Sequence, residues 1–513
     1  MAKIRIKLKR DPTVERFLDQ HGTLCAATTL TTGQYLRYQL GAAGMLALFL
    51  YDWKIFMSGL LFACAAFYVL VIGYKFLTIL ISIVFRPEIR IHDRDLAGLA
   101  DAELPVYTVL VPMYKEKAVA EKVVRAVSSL DYPQDKLDVK ILLEEDDRAT
   151  IAACRALELP ACVEVVVVPH ARPKTKPKAC NHGLDRARGE YLVIYDAEDR
   201  PERDQLKKAV LAFRQVPKTV ACLQAKLNYY NPHQNLLTKW FTIEYTAWFD
   251  LYLPGLHALD VPIPLGGTSN HFRVAVLKEL AGWDPFNLTE DCDLGIRLHR
   301  RRWRTLVLDS TTWEEANSQL GNWIRQRSRW VKGYIQTHFV HTRSNLATCA
   351  DLGPKDFLSF LLTVGGLALS LLLNPFFWIM GLAYAVLWIA SAVGLIAPPW
   401  ELGWQMRYYD RIADLPGAPF AVWSQLSWVF WGAAVVLALA NVLFVLVNVL
   451  ACVRRGLWRL LPQAVLSPLY WVLISVGAWK GFLQLFSRPF YWEKTRHGLA
   501  TSDANAQPAL GGE

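Results

Sequence analysis

Two long stretches nearly free of charge, residues 36–85 and 356–487, bracket a middle segment of mixed composition, and no other feature constrains the fold as strongly. A helix crosses the hydrocarbon core of a bilayer with about 20 apolar residues, and each block is long enough to do so more than once. The pattern predicts a soluble domain set between two membrane blocks. A composition of 53% hydrophobic residues and a mean hydropathy of +0.19 agree with it.

The first block has room for spans at 35–51 and 55–85, with Asp52, Trp53 and Lys54 as an interfacial turn. The second divides into 357–373 and 376–396, separated at Asn374-Pro375, then 421–453 and 463–485, so six spans are expected in all. Three crossings from a cytoplasmic domain would leave Arg454, Arg455 and Arg459 outside, against the positive-inside tendency, so one segment is expected to be interfacial or re-entrant. The expected organisation is therefore a basic cytoplasmic lead-in (1–34), two transmembrane helices (35–85), a cytoplasmic domain with interfacial helices at its end (86–355), a four-helix membrane block (356–487) and a cytoplasmic tail (488–513).

A net charge of +10 suits anionic lipid or an anionic substrate, and the membrane setting disfavours nucleic acid. The basic run 3–10 is followed by no short apolar run and cleavage site, so it reads as a cytoplasmic amino terminus near lipid headgroups. Nine cysteines lack zinc-site spacing and are assigned neither metal nor disulfide, and 501–513 reads as a disordered polar tail.

Within the middle segment, 107–111, 140–143, 163–168 and 191–195 have the composition of short strands, and 118–130 and 179–187 have helical period. Alternation of this kind predicts an α/β domain with a parallel, Rossmann-like sheet whose ligands dock at the carboxyl ends of the strands. Acids gather there: Tyr114-Lys115-Glu116 follows the first strand, Glu144-Glu145-Asp146-Asp147 the second and Asp196-Ala197-Glu198-Asp199 the fourth. Such clusters can be solvated loop residues, or they can hold a diphosphate through a hard divalent cation, magnesium or manganese. Lys178, at the start of a helix, is either a surface lysine or a nucleotide contact. The paired glycines of Leu265-Gly266-Gly267-Thr268-Ser269-Asn270 permit close approach to a ligand or make a tight turn before a strand.

Taken in order, Pro112-x-Tyr114-x-Glu116, the acidic pair, Lys178-x-x-Asn181, Asp196-x-Glu198, Thr289-Glu290-Asp291 and Gln326-x-x-Arg329-Trp330 resemble the family 2 glycosyltransferases. The likeness covers about residues 100–345 and points to the cellulose-synthase-like branch, with its synthases of cellulose, curdlan, chitin and hyaluronan. It implies a GT-A domain inserted between transmembrane helices, in an integral protein of a bacterial inner membrane whose catalytic domain is cytoplasmic. By the same resemblance Tyr114, Glu116, Glu144, Glu145, Asp146 and Lys178 line the donor pocket. Asp196 and Glu198 face the diphosphate and its Mg2+ or Mn2+, and Arg329 lies beside the pyrophosphate. Asp291 is the base, and Thr289, Glu290, Gln326 and Trp330 shape the acceptor end. Departures from the family's aspartates make Asp146 an alternative to Glu145, and Asp199 an alternative to Glu198.

The chemistry is consistent with those roles. Transfer from a nucleotide sugar needs a carboxylate to take the acceptor's proton, cations to balance the departing diphosphate, and an aromatic face against a pyranose. Each residue also has a plainer reading: Asp291 as a first-turn acid, Trp330 as part of a packed helix face, and Arg329 as a headgroup contact. The stretch after Arg488 is shorter than the cyclic-dinucleotide domain of bacterial cellulose synthases, which moves the expectation toward a curdlan-like or mixed-linkage β-glucan made from UDP-glucose. The implied partners are the UDP-sugar, the growing polysaccharide and membrane lipids, with accessory subunits left open. Transfer of one sugar to a lipid carrier is the alternative, and an inactive scaffold or transport subunit is a third.

Overall fold

The computed structural model describes residues 11–395, 420–491, 493–495 and 498–499. The basic run 3–10 and the tail 501–513 lie outside the described residues.

Eight strands form one sheet: β1 (Tyr107–Met113), β2 (Leu137–Glu144), β3 (Val163–Val168), β4 (Tyr191–Ile194), β5 (Arg200–Pro201), β6 (Val220–Tyr229), β7 (Asn270–Arg273) and β8 (Arg304–Glu314). Their order is β3-β2-β1-β4-β7-β6-β8-β5. β3, β2, β1 and β4 run parallel, as expected, and β7 enters antiparallel between β4 and β6. The result is a GT-A-like α/β domain.

Both faces of the sheet are covered, and every residue of β2, β4 and β6 is buried. Alternate residues of β1 serve different cores: Val109, Val111 and Met113 pack on the side of helix Ala120–Ser128. Leu110 joins Leu142, Ala179, Cys180 and Leu184 on the side of helix Lys176–Asp185. Gly183 lets that helix lie close, because a β-carbon there would come within 2.8 Å of Leu110. Each fully buried leucine or valine contributes about 1.5–3 kcal/mol, so this double facing fixes the strand ends on which the site is built.

Among the described residues three helices are long and apolar enough to cross a membrane: Ile55–Phe85, Pro354–Ile379 and Ser467–Ser487. Helix Thr32–Tyr51, expected as the first span, is not among them, because Gln34, Arg37 and Gln39 dilute its apolar face. The break expected at Asn374-Pro375 is absent, and the helix Gly366–Ala392 runs through Pro375. Donors from neighbouring helices serve carbonyls of this turn: Tyr68 Oη reaches Ser370 O at 3.2 Å and Trp479 Nε1 reaches Leu372 O at 3.0 Å.

Arg454 and Arg455, for which the expected span count gave a conflict of charge and side, lie against the α/β domain. Helix Phe420–Arg454 ends against the α/β domain, where Arg454 pairs with Glu88 at 2.5 Å and Arg455 with Asp250 at 2.6 Å.

Candidate active site

At the carboxyl ends of β1, β2 and β4 a cavity of about 1060 Å³ opens, and it continues between the long apolar helices. Its domain-side wall includes Tyr114, Glu116, Glu144, Asp196, Glu198, Thr289, Glu290, Asp291, Gln326, Arg329 and Trp330. Farther in, Tyr68, Tyr252, Phe377, Phe444 and Trp471 make an aromatic wall. Residues separated by more than 200 positions in sequence thus meet around one space.

The turn after β4 is folded by its own last acid. Asp199 accepts the Asp196 backbone N–H at 2.8 Å and bonds the Thr268 hydroxyl, whose oxygen also lies 2.9 Å from Ile194 O. Asp196 and Glu198 are left lining the cavity, whereas Asp199 is not among its lining residues. The glycine loop is tied to the same turn: buried Gln224 accepts from Gly266 N at 2.7 Å and donates to Thr268 O at 3.2 Å. Gly267 abuts Asp291, since a β-carbon on it would stand 3.4 Å from Asp291 Oδ2.

Helix Glu290–Arg300 begins at the cavity, so Glu290 and Asp291 occupy its first turn. Asp291 Oδ1 accepts the Cys292 backbone N–H at 2.7 Å. Burial pushes the Asp291 carboxyl above the usual carboxylate range, against the lowering influence of Cys292 N–H, Lys176 and Arg329. Glu290 is pushed up by burial and then by Asp291. On β8, Glu314 is raised by burial and by Asp199, Asp196 and Glu198, and Asp199 by burial, Asp196 and Glu198.

These mutual shifts mark an excess of negative charge, and one oxygen of Asp199 is buried with no partner among the described residues. Such a donor set fits a divalent cation. Among the described residues no three His, Cys, Asp or Glu side chains form a ready-made cage. Magnesium-type sites commonly combine one or two carboxylates with substrate phosphate oxygens, which is the arrangement Asp196 and Glu198 could offer.

The aromatic helix Leu320–His341 closes the other wall. Gln326 accepts from Asn317 Nδ2 at 2.8 Å. Trp330 faces the cavity while stacking on Tyr245 at 6.1 Å and 30° between planes. Arg327 holds Glu244 with two bonds of 2.7 and 2.5 Å and lies 4.8 Å from the Trp330 ring. Trp330 is thus both part of a packed face and part of the cavity wall. Thr289 caps the acidic helix by position and packs against Gly333, where a β-carbon would meet it at 2.6 Å.

Three expected donor residues stand elsewhere. Lys178 is fully buried behind the wall, bonding Glu144 at 3.0 Å and the carbonyls of Pro169 and Ala171, so it supports Glu144 and does not line the cavity. Glu145 accepts from His170 N at 2.9 Å, and Asp146 pairs with Lys174 at 2.5 Å and receives Tyr114 Oη at 3.4 Å; both are exposed.

Sequence reasoning missed Lys176, whose Nζ reaches Asp196 at 2.5 Å and Gly267 O at 2.8 Å. It also missed Lys494, which bonds Tyr114 O and pairs with Glu116 at 3.4 Å, and Thr495; both line the cavity. The segment carrying them is held by Lys332 on Tyr491 O at 2.9 Å, by Gln336 on Pro489 O at 3.0 Å, and by Glu315 on the N–H groups of Gly498 and Leu499 at 2.7 and 2.6 Å. A lysine placed two before Lys178 was a usable signal for the first; nothing local marked the second.

Residues 105–333 match the family model described as glycosyltransferase like family 2. With the sheet and the motif set, this makes the segment a family 2 glycosyltransferase domain. The chain is 28% identical over 243 residues to a probable glycosyltransferase, YdaM, of Bacillus subtilis, an alignment covering 46% of this chain and 58% of that one. It is 27% identical over 255 residues to glucomannan 4-beta-mannosyltransferase 2 of Arabidopsis thaliana, covering 47% and 46%. The chain therefore spans about half the length of these relatives. Among solved structures it is similar to the mannosyltransferase PcManGT of Pyrobaculum calidifontis in complex with GDP-Man and Mn2+, with a TM-score of 0.46 and 21% identity over 72% of this chain and 97% of that one.

Proposed function

We propose that the chain is a membrane-embedded, inverting hexosyltransferase that extends a β-linked polysaccharide from a nucleotide sugar and feeds it between its own apolar helices. The observation that carries this reading is the single cavity running from the acids Asp196, Glu198 and Asp291, past Trp330, to the aromatic helix wall. A domain that moved a sugar to a soluble acceptor would have no use for such a continuation. The three long apolar helices support placement in a membrane, and the motif resemblance is the ground for taking it as a bacterial inner membrane with the transferase domain on the cytoplasmic face.

In this mechanism Tyr114, Glu116 and Glu144 border the nucleoside side of the donor. Asp196 and Glu198 would hold Mg2+ or Mn2+, which when bound supplies positive charge to the diphosphate. Asp291 takes the proton of the acceptor hydroxyl while its oxygen bonds to the anomeric carbon. The opposite C–O bond breaks, its electron pair leaves on the diphosphate, and the configuration inverts. Arg329, electrostatically coupled to Glu290, Asp196 and Asp291, balances charge on the departing group. Trp330 presents an aromatic face to the terminal pyranose, with Gln326, Thr289 and Glu290 around it. A carboxylate raised by burial is a better proton acceptor than an ordinary aspartate.

UDP-glucose and a curdlan-like or mixed-linkage glucan follow from the motif resemblance, while the similarity to plant glucomannan mannosyltransferases favours GDP-mannose and a β-mannan. Membranes carrying the chain, incubated in parallel with labelled UDP-glucose, GDP-mannose and UDP-N-acetylglucosamine, decide between them through linkage analysis of the product. A long β-linked glycan from one donor is expected. Transfer of a single sugar to lipid would replace the polymerase reading with the lipid-carrier reading.

A further inference from the structure

The acids of this cavity outnumber its cations, and a donor diphosphate brings further negative charge to the same place. Asp196, Glu198, Glu290, Asp291 and Glu314 line its central part. Of the four lysines on the wall, Lys75 stands over the Tyr252 and Phe444 rings, Lys174 pairs with Asp146 and Lys494 with Glu116, while Lys176 pairs with Asp196 and is thus the lysine set among the central acids.

We propose that Lys176 is a further catalytic residue: its ammonium group, held between the Asp196 carboxylate and the Gly267 carbonyl, contacts the donor diphosphate and balances the charge that grows on it as the sugar leaves. This assignment rests on the sugar-nucleotide reading of the cavity.

Three observations carry it. First, both partners of Lys176 are themselves site elements, the leading acid of the Asp196-x-Glu198 triplet and the glycine loop that abuts Asp291. The ammonium thus stands between the expected diphosphate site and the expected base. Second, an ammonium has three donors, and the two bonds it makes leave one N–H for a ligand oxygen. Third, Lys176 opens the ten-residue helix Lys176–Asp185, and Lys174, Thr175 and Lys176 all line the cavity. Thr175, at the cap position, makes no side-chain cap bond, so the positive end of this helix faces the same space and adds to the attraction for an anion.

The step balances without the lysine giving up its proton. The acceptor proton goes to Asp291, the bond pair goes to the diphosphate oxygen, and Lys176 remains an ammonium that meets the new charge with one hydrogen bond and one full positive charge. Lys178 cannot substitute, being enclosed behind the wall on Glu144.

The test uses the full chain in detergent or nanodiscs with Lys176→Met and Lys176→Arg. Binding of UDP and of GDP is measured by calorimetry with no divalent cation added, alongside turnover with the active donor and cation present. Loss of a charge-assisted bond predicts metal-free diphosphate binding about 10- to 100-fold weaker in Lys176→Met, with kcat reduced more than donor KM is raised, and most of both retained in Lys176→Arg. Equal affinity of wild type and Lys176→Met overturns the assignment while leaving the donor site standing. An arginine variant as weak as the methionine one also overturns it, because packing and not charge would then be at stake. A wild-type chain that binds either diphosphate only when Mg2+ or Mn2+ is added overturns this assignment alone, and one that binds neither even with the cation overturns the donor-site reading and this assignment together.

Discussion

The pair Glu244–Arg327 fastens the aromatic helix Leu320–His341 to helix Leu236–Ala247, and breaking it one side at a time should reveal how firmly Trp330 is held. The guanidinium makes two bonds to one carboxylate, at 2.7 and 2.5 Å, and a third to Tyr470 Oη at 3.1 Å. Arg327 is only 8% exposed and Glu244 31%, the latter toward the cavity. Removing one member of a buried pair leaves the other uncompensated and costs about 3–5 kcal/mol; the partial exposure of Glu244 puts Arg327→Met near the lower end, about 3 kcal/mol. Glu244→Gln strands the more enclosed arginine and should cost more. Because the two share one interaction, the double variant should be less destabilised than the sum of the singles by about 1–3 kcal/mol. Denaturant titration of the purified full chain gives the four free energies. Additive costs would refute the claim that this pair forms a unit, and with it the account of how Trp330 is oriented.

Three further outcomes follow from the site. The base must be ionised to act and burial raises its pKa, so kcat should fall as pH drops through a limb lying above the ordinary aspartate range; Arg329→Met, which removes a lowering influence, should move that limb higher still in a pH–rate profile. Chelation of divalent cations should abolish turnover and restore it on addition of Mg2+ or Mn2+, as read by release of nucleoside diphosphate. Gly481→Leu should separate helix Ser467–Ser487 from Leu320–His341, because even a β-carbon would come 2.4 Å from Ser328 O; a lower unfolding midpoint and shorter product chains, sized by chromatography, are expected.

The legible part of this molecule was the part written in local pattern. β1 to β4 and their parallel pairing follow from short β-branched runs alternating with helical ones, and the ends of β1, β2 and β4 carry acids as that arrangement requires. Asp196, Glu198, Asp291, Gln326, Arg329 and Trp330 all meet at one cavity, in keeping with the motif order.

What escaped depended on rotation and on distant contacts. Lys176 and Lys178 are two residues apart on a helix, so their side chains point about 200° apart, and only the true helix start tells which one meets the ligand space. Glu145 and Asp146 lie one and two residues beyond the end of β2, where the chain has already turned outward. Lys494 reaches Tyr114 across 380 positions, which no local pattern encodes. Pro375 signals a break in isolation, but its turn is served by Tyr68 and Trp479 from other helices.

Sugar transfer through Asp291 is the centre of the account, and the most direct measurement compares donor binding with label incorporation in wild type and Asp291→Asn. The substitution should leave donor affinity nearly unchanged while incorporation falls about 100- to 10,000-fold, the span general-base catalysis supplies. Incorporation at the wild-type rate by Asp291→Asn would contradict it.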